Sequence, residues 1–137
     1  MIFGLLAPLY NGMLHHLSFS VSDLDKASSF YDAVLSPLGY VRVWTFPDAV
    51  GYGVNGGDDQ FAIKARTKQV AAPSPGFHVA FSAKDRQAVD AFYAAAMAQG
   101  AKDNGAPGMR PHYGPHYYAA FVTDLDGYPI EAVVIAP

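Results

Sequence analysis

Hydrophobic and polar residues alternate over residues 14–21. Leu17, Phe19 and Val21 fall on one face, and His16, Ser18 and Ser20 on the other. A period of two predicts a strand with one face in the core. The pattern returns over 78–83, where Val79, Phe81 and Ala83 oppose His78, Ala80 and Ser82. The two stretches align at one constant offset. It carries His16 onto His78, Phe19 onto Phe81, Ser20 onto Ser82, Asp23 onto Asp85, and Phe30-Tyr31 onto Phe92-Tyr93. A chain that repeats itself in this way predicts two copies of one structural unit.

The period changes after each strand. Leu24, Ala27, Phe30, Tyr31, Val34, Leu35 and Leu38 recur at helical spacing, with Ser22 or Asp23 as the cap and Pro37 and Gly39 as the stop. In the second copy Asp85 caps, the stripe is Val89, Phe92, Tyr93, Ala96 and Met97, and Gly100 ends it. These stripes must cover the Phe19 and Phe81 faces, which leaves the histidine faces free of helix. Three β-rich stretches follow the first helix, at Tyr40–Phe46, Val50–Val54 and Gln60–Ala65. After the second, Ala101–Pro115 has little pattern, and then Tyr117–Thr123 and Tyr128–Ile135 flank the turn Asp124–Gly127 as a hairpin. Arg66–Gly76, with Pro73 and Pro75, reads as a linker. The expected fold is therefore α+β: two βαβββ modules, about 13–66 and 77–137, forming a curved sheet of about eight strands with the helices on its convex face.

Residues 1–12 precede the repeat and read as an extension outside the folding unit; the rival reading is a segment packed on the sheet or across a dimer. The apolar run Ile2–Tyr10 is far shorter than the roughly 20 residues of a membrane span and lacks the basic start of a signal peptide. At 137 residues, 51% of them hydrophobic, the repeat fits a single domain, 13–137, with a substantial core. A net charge of −3 without a basic run argues against nucleic acid. The absence of cysteine excludes disulfides and thiolate ligands and fits a reducing cytoplasm.

That leaves His, Asp and Glu as possible metal ligands. His16 and His78 are repeat-related, so a pseudo-twofold axis can bring both inside the curve of the sheet. Glu131 is the only acid within the apolar strand 128–135, where a carboxylate without partners is costly. Two imidazoles and one carboxylate make a facial triad with open positions for substrate, water or dioxygen. Taken singly, each histidine is more readily an ordinary hydrogen-bonded residue, and Glu131 has the alternative of an edge-strand acid facing water. Only the combination points to metal.

The combination resembles the vicinal oxygen chelate superfamily, which includes glyoxalase I, extradiol dioxygenases, and fosfomycin-resistance and bleomycin-binding proteins. The matching pieces are His16–Leu24, Ser29–Tyr40, His78–Ser82 and Phe121–Glu131, the last ending in Asp-x-Asp-Gly-x-x-Ile-Glu. The resemblance implies the paired βαβββ fold, a homodimer, and His16, His78 and Glu131 as ligands of a divalent ion (Fe, Mn, Zn or Ni). It implies an enzyme of lyase, isomerase, ring-cleaving dioxygenase or transferase type, acting on a small molecule that chelates through adjacent oxygens. The alternatives it leaves are a metal-free protein that sequesters a drug and, less directly, a metabolite-sensing domain. A glyoxalase I also resembles this chain but carries a fourth ligand, whose position falls near Ala62, where no carboxylate stands.

Arg110–Tyr118 packs two histidines, three tyrosines and an arginine into a short stretch. His112 and Tyr118 are the expected catalytic residues here: His112, with His116 as the alternative, as acid or base, Tyr118, with Tyr113 as the alternative, as a hydrogen-bond partner of substrate oxygen, and Arg110 able to pair with a carboxylate. The competing reading is a proline-shaped loop with aromatics packed beneath it. Parity sets His15 apart from His16, toward the helix side or the strand edge. Of Trp44, Phe46 and Tyr52, some are expected on the concave face as walls for a flat or apolar ligand. Asp124 and Asp126 lack the further ligands of a calcium loop and read as turn residues.

Overall fold

A computed structural model describes residues 12–66, 68 and 70–137. The extension expected at residues 1–12 lies outside the described residues, Gly12 excepted. The chain order is β1 (Leu17–Val21), α1 (Leu24–Leu35), a 3-10 turn (Ser36–Leu38), β2 (Val41–Phe46), β3 (Ala49–Gly53), β4 (Phe61–Ala65), β5 (Val79–Ser82), α2 (Arg86–Ala98), β6 (Lys102–Met109), β7 (Tyr117–Thr123) and β8 (Pro129–Ile135). The eight strands form two four-stranded sheets, ordered β1-β4-β3-β2 and β5-β8-β7-β6. In each, the module's first strand runs parallel to its last. This is the paired βαβββ arrangement that the repeat predicts.

The repeat is visible in the capping chemistry. Asp23 accepts the N–H of Lys26 at 3.1 Å, and its counterpart Asp85 accepts that of Ala88 at 2.8 Å. Each bond satisfies one of the donors that a helix start leaves without a partner. α1 stops at Leu35, earlier than the stripe suggested. Pro37 cannot continue the ladder, so the chain tightens into the 3-10 turn before Gly39 reverses it at φ 89°.

Both helix stripes and the inner faces of both sheets share one core. Phe30, Tyr31, Val34 and Leu35 of α1 join Val89 and Phe92 of α2, with Ile63, Phe81, Ile130 and Ala132 from the sheets. Tyr52, one of the aromatics considered for the concave face, lies here instead. Its hydroxyl lies within hydrogen-bond distance of both the Ser28 carbonyl and Asp32, which share its single proton. The modules grip each other symmetrically: Tyr40 Oη donates to the carbonyl of Ser82, and Tyr128 Oη to that of Ser20, both at 2.8 Å. Ser20 and Ser82 are repeat-equivalent, so a tyrosine of one module holds the first strand of the other at the same place. A buried link, Tyr31 Oη to Asp124 Oδ2 at 2.5 Å, ties α1 to the β7–β8 turn.

The stretch 101–115 contains a strand that its pattern did not announce. β6 is irregular, with register shifts on either side of Gly105, so its side chains do not keep a period of two. It lies at the edge of its sheet, where Pro107 breaks no inner ladder. Gly105 takes φ 144°, and a Cβ there would crowd Arg110 and Phe121 at 3.2 Å. No helix among the described residues is long and apolar enough to cross a membrane.

Candidate metal centre

The face of β8 that turns away from the helices carries Glu131, which is paired by register with Ala80 of β5 and Phe121 of β7. His78 stands two residues before Ala80, on the same side. Its Nε2 lies 3.1 Å from Glu131 Oε1. Glu131 is 1% exposed, whereas the His78 side chain is 51% exposed. The carboxylate is therefore taken out of water while the imidazole keeps an open side.

The second carboxylate oxygen is held separately. Tyr117 Oη donates to Glu131 Oε2 at 2.5 Å. Burial, then the hydrogen bond and the charge of Glu131, push the Tyr117 phenol up to about 12. It stays protonated near neutral pH and keeps donating. One oxygen is thus occupied and the other faces His78, which orients the acid as a one-oxygen donor.

The donor pair fits a divalent ion. With metal–nitrogen and metal–oxygen bonds of about 2.0–2.2 Å, adjacent ligands at a right angle stand about 3.0 Å apart, close to the observed separation. The third expected donor is elsewhere. His16 is exposed at the start of β1, its Nδ1 2.9 Å from that of His15. No group of three His, Cys, Asp or Glu side chains suited to a metal occurs among the described residues of one chain. The structure brings His78 and Glu131 together and leaves His16 apart from them.

Of the expected catalytic pair, Tyr118 stands on the other side of the sheet. Adjacent residues of a strand point to opposite faces, and Tyr118 turns toward α2, donating to Asp90 at 2.6 Å beneath Arg86. The tyrosine beside the acid is Tyr117, which sequence reasoning missed. The hairpin register was the available signal: pairing Thr123 with Pro129 sets Phe121 opposite Glu131 and puts Tyr117 on the same face. His112 is exposed in the turn after β6, its ring 4.1 Å from Tyr113, which in turn lies 5.2 Å from Tyr117. One ring, that of Tyr113, therefore separates it from Glu131's tyrosine. Arg110 donates to the Ala106 carbonyl and lies over the Phe121 ring.

A cavity of about 290 Å³ adjoins His78. Its walls include Leu17, Tyr40, Phe61, Phe81 and Ser82, so both modules contribute. On the first sheet, Trp44 pairs with Gly51 and Phe46 with Ala49. Val50 and Tyr52 of β3 are buried in the core, so these partners place Trp44 and Phe46 on the open face with His16.

A duplicated βαβββ fold with a histidine–carboxylate pair on an uncovered sheet face defines a class of small-molecule proteins. The chain belongs to the Glyoxalase/Bleomycin resistance protein/Dioxygenase superfamily, whose family model matches residues 13–132. It is 31% identical to a glyoxalase/bleomycin resistance protein from Albidiferax ferrireducens, with 89% of this chain and 98% of that one covered and a TM-score of 0.78. A putative glyoxalase from Bacillus halodurans is 25% identical over 89% and 95% of the two chains, with a TM-score of 0.68. The fosfomycin resistance protein FosX from Mesorhizobium loti shares the fold at 19% identity, over 91% and 93% of the chains, with a TM-score of 0.64. No curated protein matches the chain. Members of this superfamily commonly use divalent metals and bind small molecules as dimers.

Proposed function

We propose that the protein is a metal-dependent enzyme of the glyoxalase and dioxygenase type, with His78 and Glu131 of one copy and His16 of a second copy binding one divalent ion. The observation that carries this reading is the buried Glu131 carboxylate, with one oxygen toward His78 and the other held by Tyr117. A carboxylate placed so deeply needs a cation or a full set of donors. When bound, the ion would accept adjacent substrate oxygens and stabilise negative charge as it develops on them. Glu131 and His78 would fix its position, and Tyr117 would keep the acid from turning. His112 is retained as a candidate proton carrier at the mouth of the site, reached through Tyr113. Fe, Mn, Zn and Ni all suit two imidazoles and a carboxylate.

The geometry of one chain supports the second copy. His16 lies on the open face of the first sheet and the His78–Glu131 pair on that of the second. Mixing two inactive variants tests this arrangement. A His16→Ala copy retains His78 and Glu131; a His78→Ala copy retains His16. If sites form between copies, refolding the two together restores one intact site per mixed dimer, read as metal bound after dialysis. A site built within one chain gains nothing from mixing.

Tyr117→Phe removes the Oε2 bond and leaves the ring. Metal affinity is expected to fall about 10–100-fold, as for other residues that orient a ligand, and the buried Oε2 left without its donor is expected to cost about 1–3 kcal/mol of stability in the metal-free protein. An unchanged affinity by calorimetric titration would remove Tyr117 from the site.

A further inference from the structure

We infer that His15 is a positioning residue for the proposed metal centre: it accepts the Nδ1–H of His16 and so fixes the tautomer in which the His16 Nε2 lone pair is free to bind the ion. This deepens the proposed function and rests on reading His16 as a metal donor. Adjacent residues of a regular strand point to opposite faces, which would hold the two rings apart. β1 begins only at Leu17, and the backbone bends at His15. The bend brings the rings together, with centroids 5.1 Å apart and planes at 83°. Their Nδ1 atoms lie 2.9 Å apart. His15 is also a wall of the cavity between the modules, with Leu14, Leu17 and Gln60, which gives its ring a seat.

That separation holds one proton between the rings. Two Nδ1–H groups would repel there, and two bare lone pairs would make no bond. One ring therefore donates and the other accepts, and the direction decides what His16 can do. A His16 that accepts carries its proton on Nε2 and has no lone pair left for a metal. A His16 that donates keeps the Nε2 lone pair. Its repeat-equivalent, His78, turns Nε2 toward Glu131 at 3.1 Å, so donation by His16 lets both modules offer the same nitrogen. Histidines that bind metals generally give their other N–H to a fixed acceptor, which sets the tautomer and the orientation of the ring. The ion pairs among the described residues are Arg42–Asp32 and His78–Glu131, so no carboxylate of these residues lies within 4.0 Å of His16. His15 supplies the acceptor instead. The second copy has Phe77 at the position of His15, so the device belongs to the first module alone.

The test uses the full-length protein, isotopically labelled at its histidine ring nitrogens, freed of metal with a chelator and kept alkaline enough for neutral imidazoles. The nitrogen chemical shifts then separate the two tautomers. His16 is expected in the Nδ1–H form and His15 in the Nε2–H form. His15→Phe keeps a ring and removes the acceptor. It is expected to return His16 to a predominantly Nε2–H form and to lower zinc affinity about tenfold by calorimetric titration. His15→Asn offers an amide oxygen as acceptor at the place of Nδ1 and is expected to restore both. An Nε2–H His16 in the unaltered protein overturns the assignment. So does a His15→Asn protein that behaves as His15→Phe does. A His15→Phe protein that loses affinity with the His16 tautomer unchanged also overturns it, since His15 would then be a direct ligand. If the unaltered protein takes up no zinc while His16 keeps the Nδ1–H form, the metal reading fails and the tautomer held by His15 stands.

Discussion

His78→Ala protein is expected to hold less than about a tenth of the divalent metal carried by the unaltered protein, measured by elemental analysis after dialysis. Losing a direct ligand should exceed the about 10–100-fold cost of losing a residue that merely orients one. The substitution also leaves the Glu131 carboxylate buried with Tyr117 as its remaining named partner. The metal-induced rise in melting temperature should vanish with the metal, because a ligand stabilises only the state that binds it. A His78→Ala protein that keeps stoichiometric metal would sink the proposed centre. Metal-free unaltered protein, with no shift in melting temperature on adding any of the four metals, would favour sequestration of a small molecule instead.

The second large effect concerns the fold. Asp124 is buried; its Oδ2 accepts from Tyr31, and its Oδ1 accepts the N–H groups of Asp126 and Tyr128. Asp124→Ala strips the partner from a buried phenol and from two turn amides. Each unsatisfied buried group costs about 1–3 kcal/mol, so a loss of about 3 kcal/mol is expected, or roughly 10 °C in melting temperature. Tyr31→Phe removes one of these bonds and should cost less. The pH dependence has a definite sign. Burial raises the Asp124 carboxyl above its ordinary 3.8, so the folded chain holds that proton more tightly than the unfolded one. The contribution of this group is fully present below 3.8 and is lost as pH rises through the raised value. Asp124→Asn should remove that slope from a series of thermal unfolding curves. An unaltered melting temperature in Asp124→Ala would show that the Tyr31–Asp124 link does not hold the modules together.

The modules were legible because their signals are local. Strand parity around His16 and His78, the helix stripes and the two aspartate caps each depend on a few neighbouring residues. Glu131 stood out for a local reason as well, as an acid in an apolar strand. β6 stayed hidden because its register shifts break the period on which reading depends, and its backbone follows from Gly105 packing against Phe121. Tyr118, the residue expected beside the substrate, stands one step of parity from the face that carries Glu131. The choice between Tyr117 and Tyr118 requires the pairing across the β7–β8 hairpin, which joins residues 14 positions apart in the Tyr117–Glu131 bond.

The sequence by itself determined the duplication, the two capped helices, the uncovered histidine faces and the identity of the buried acid, because period, caps and composition are properties of short stretches. The tertiary structure alone decided which donors meet. It set His78 against Glu131 through the parallel pairing of β5 with β8, gave the other carboxylate oxygen to Tyr117, and kept His16 away from both within one chain. Those outcomes depend on register and on the packing of one module against the other, and contacts between distant segments leave no period in the sequence.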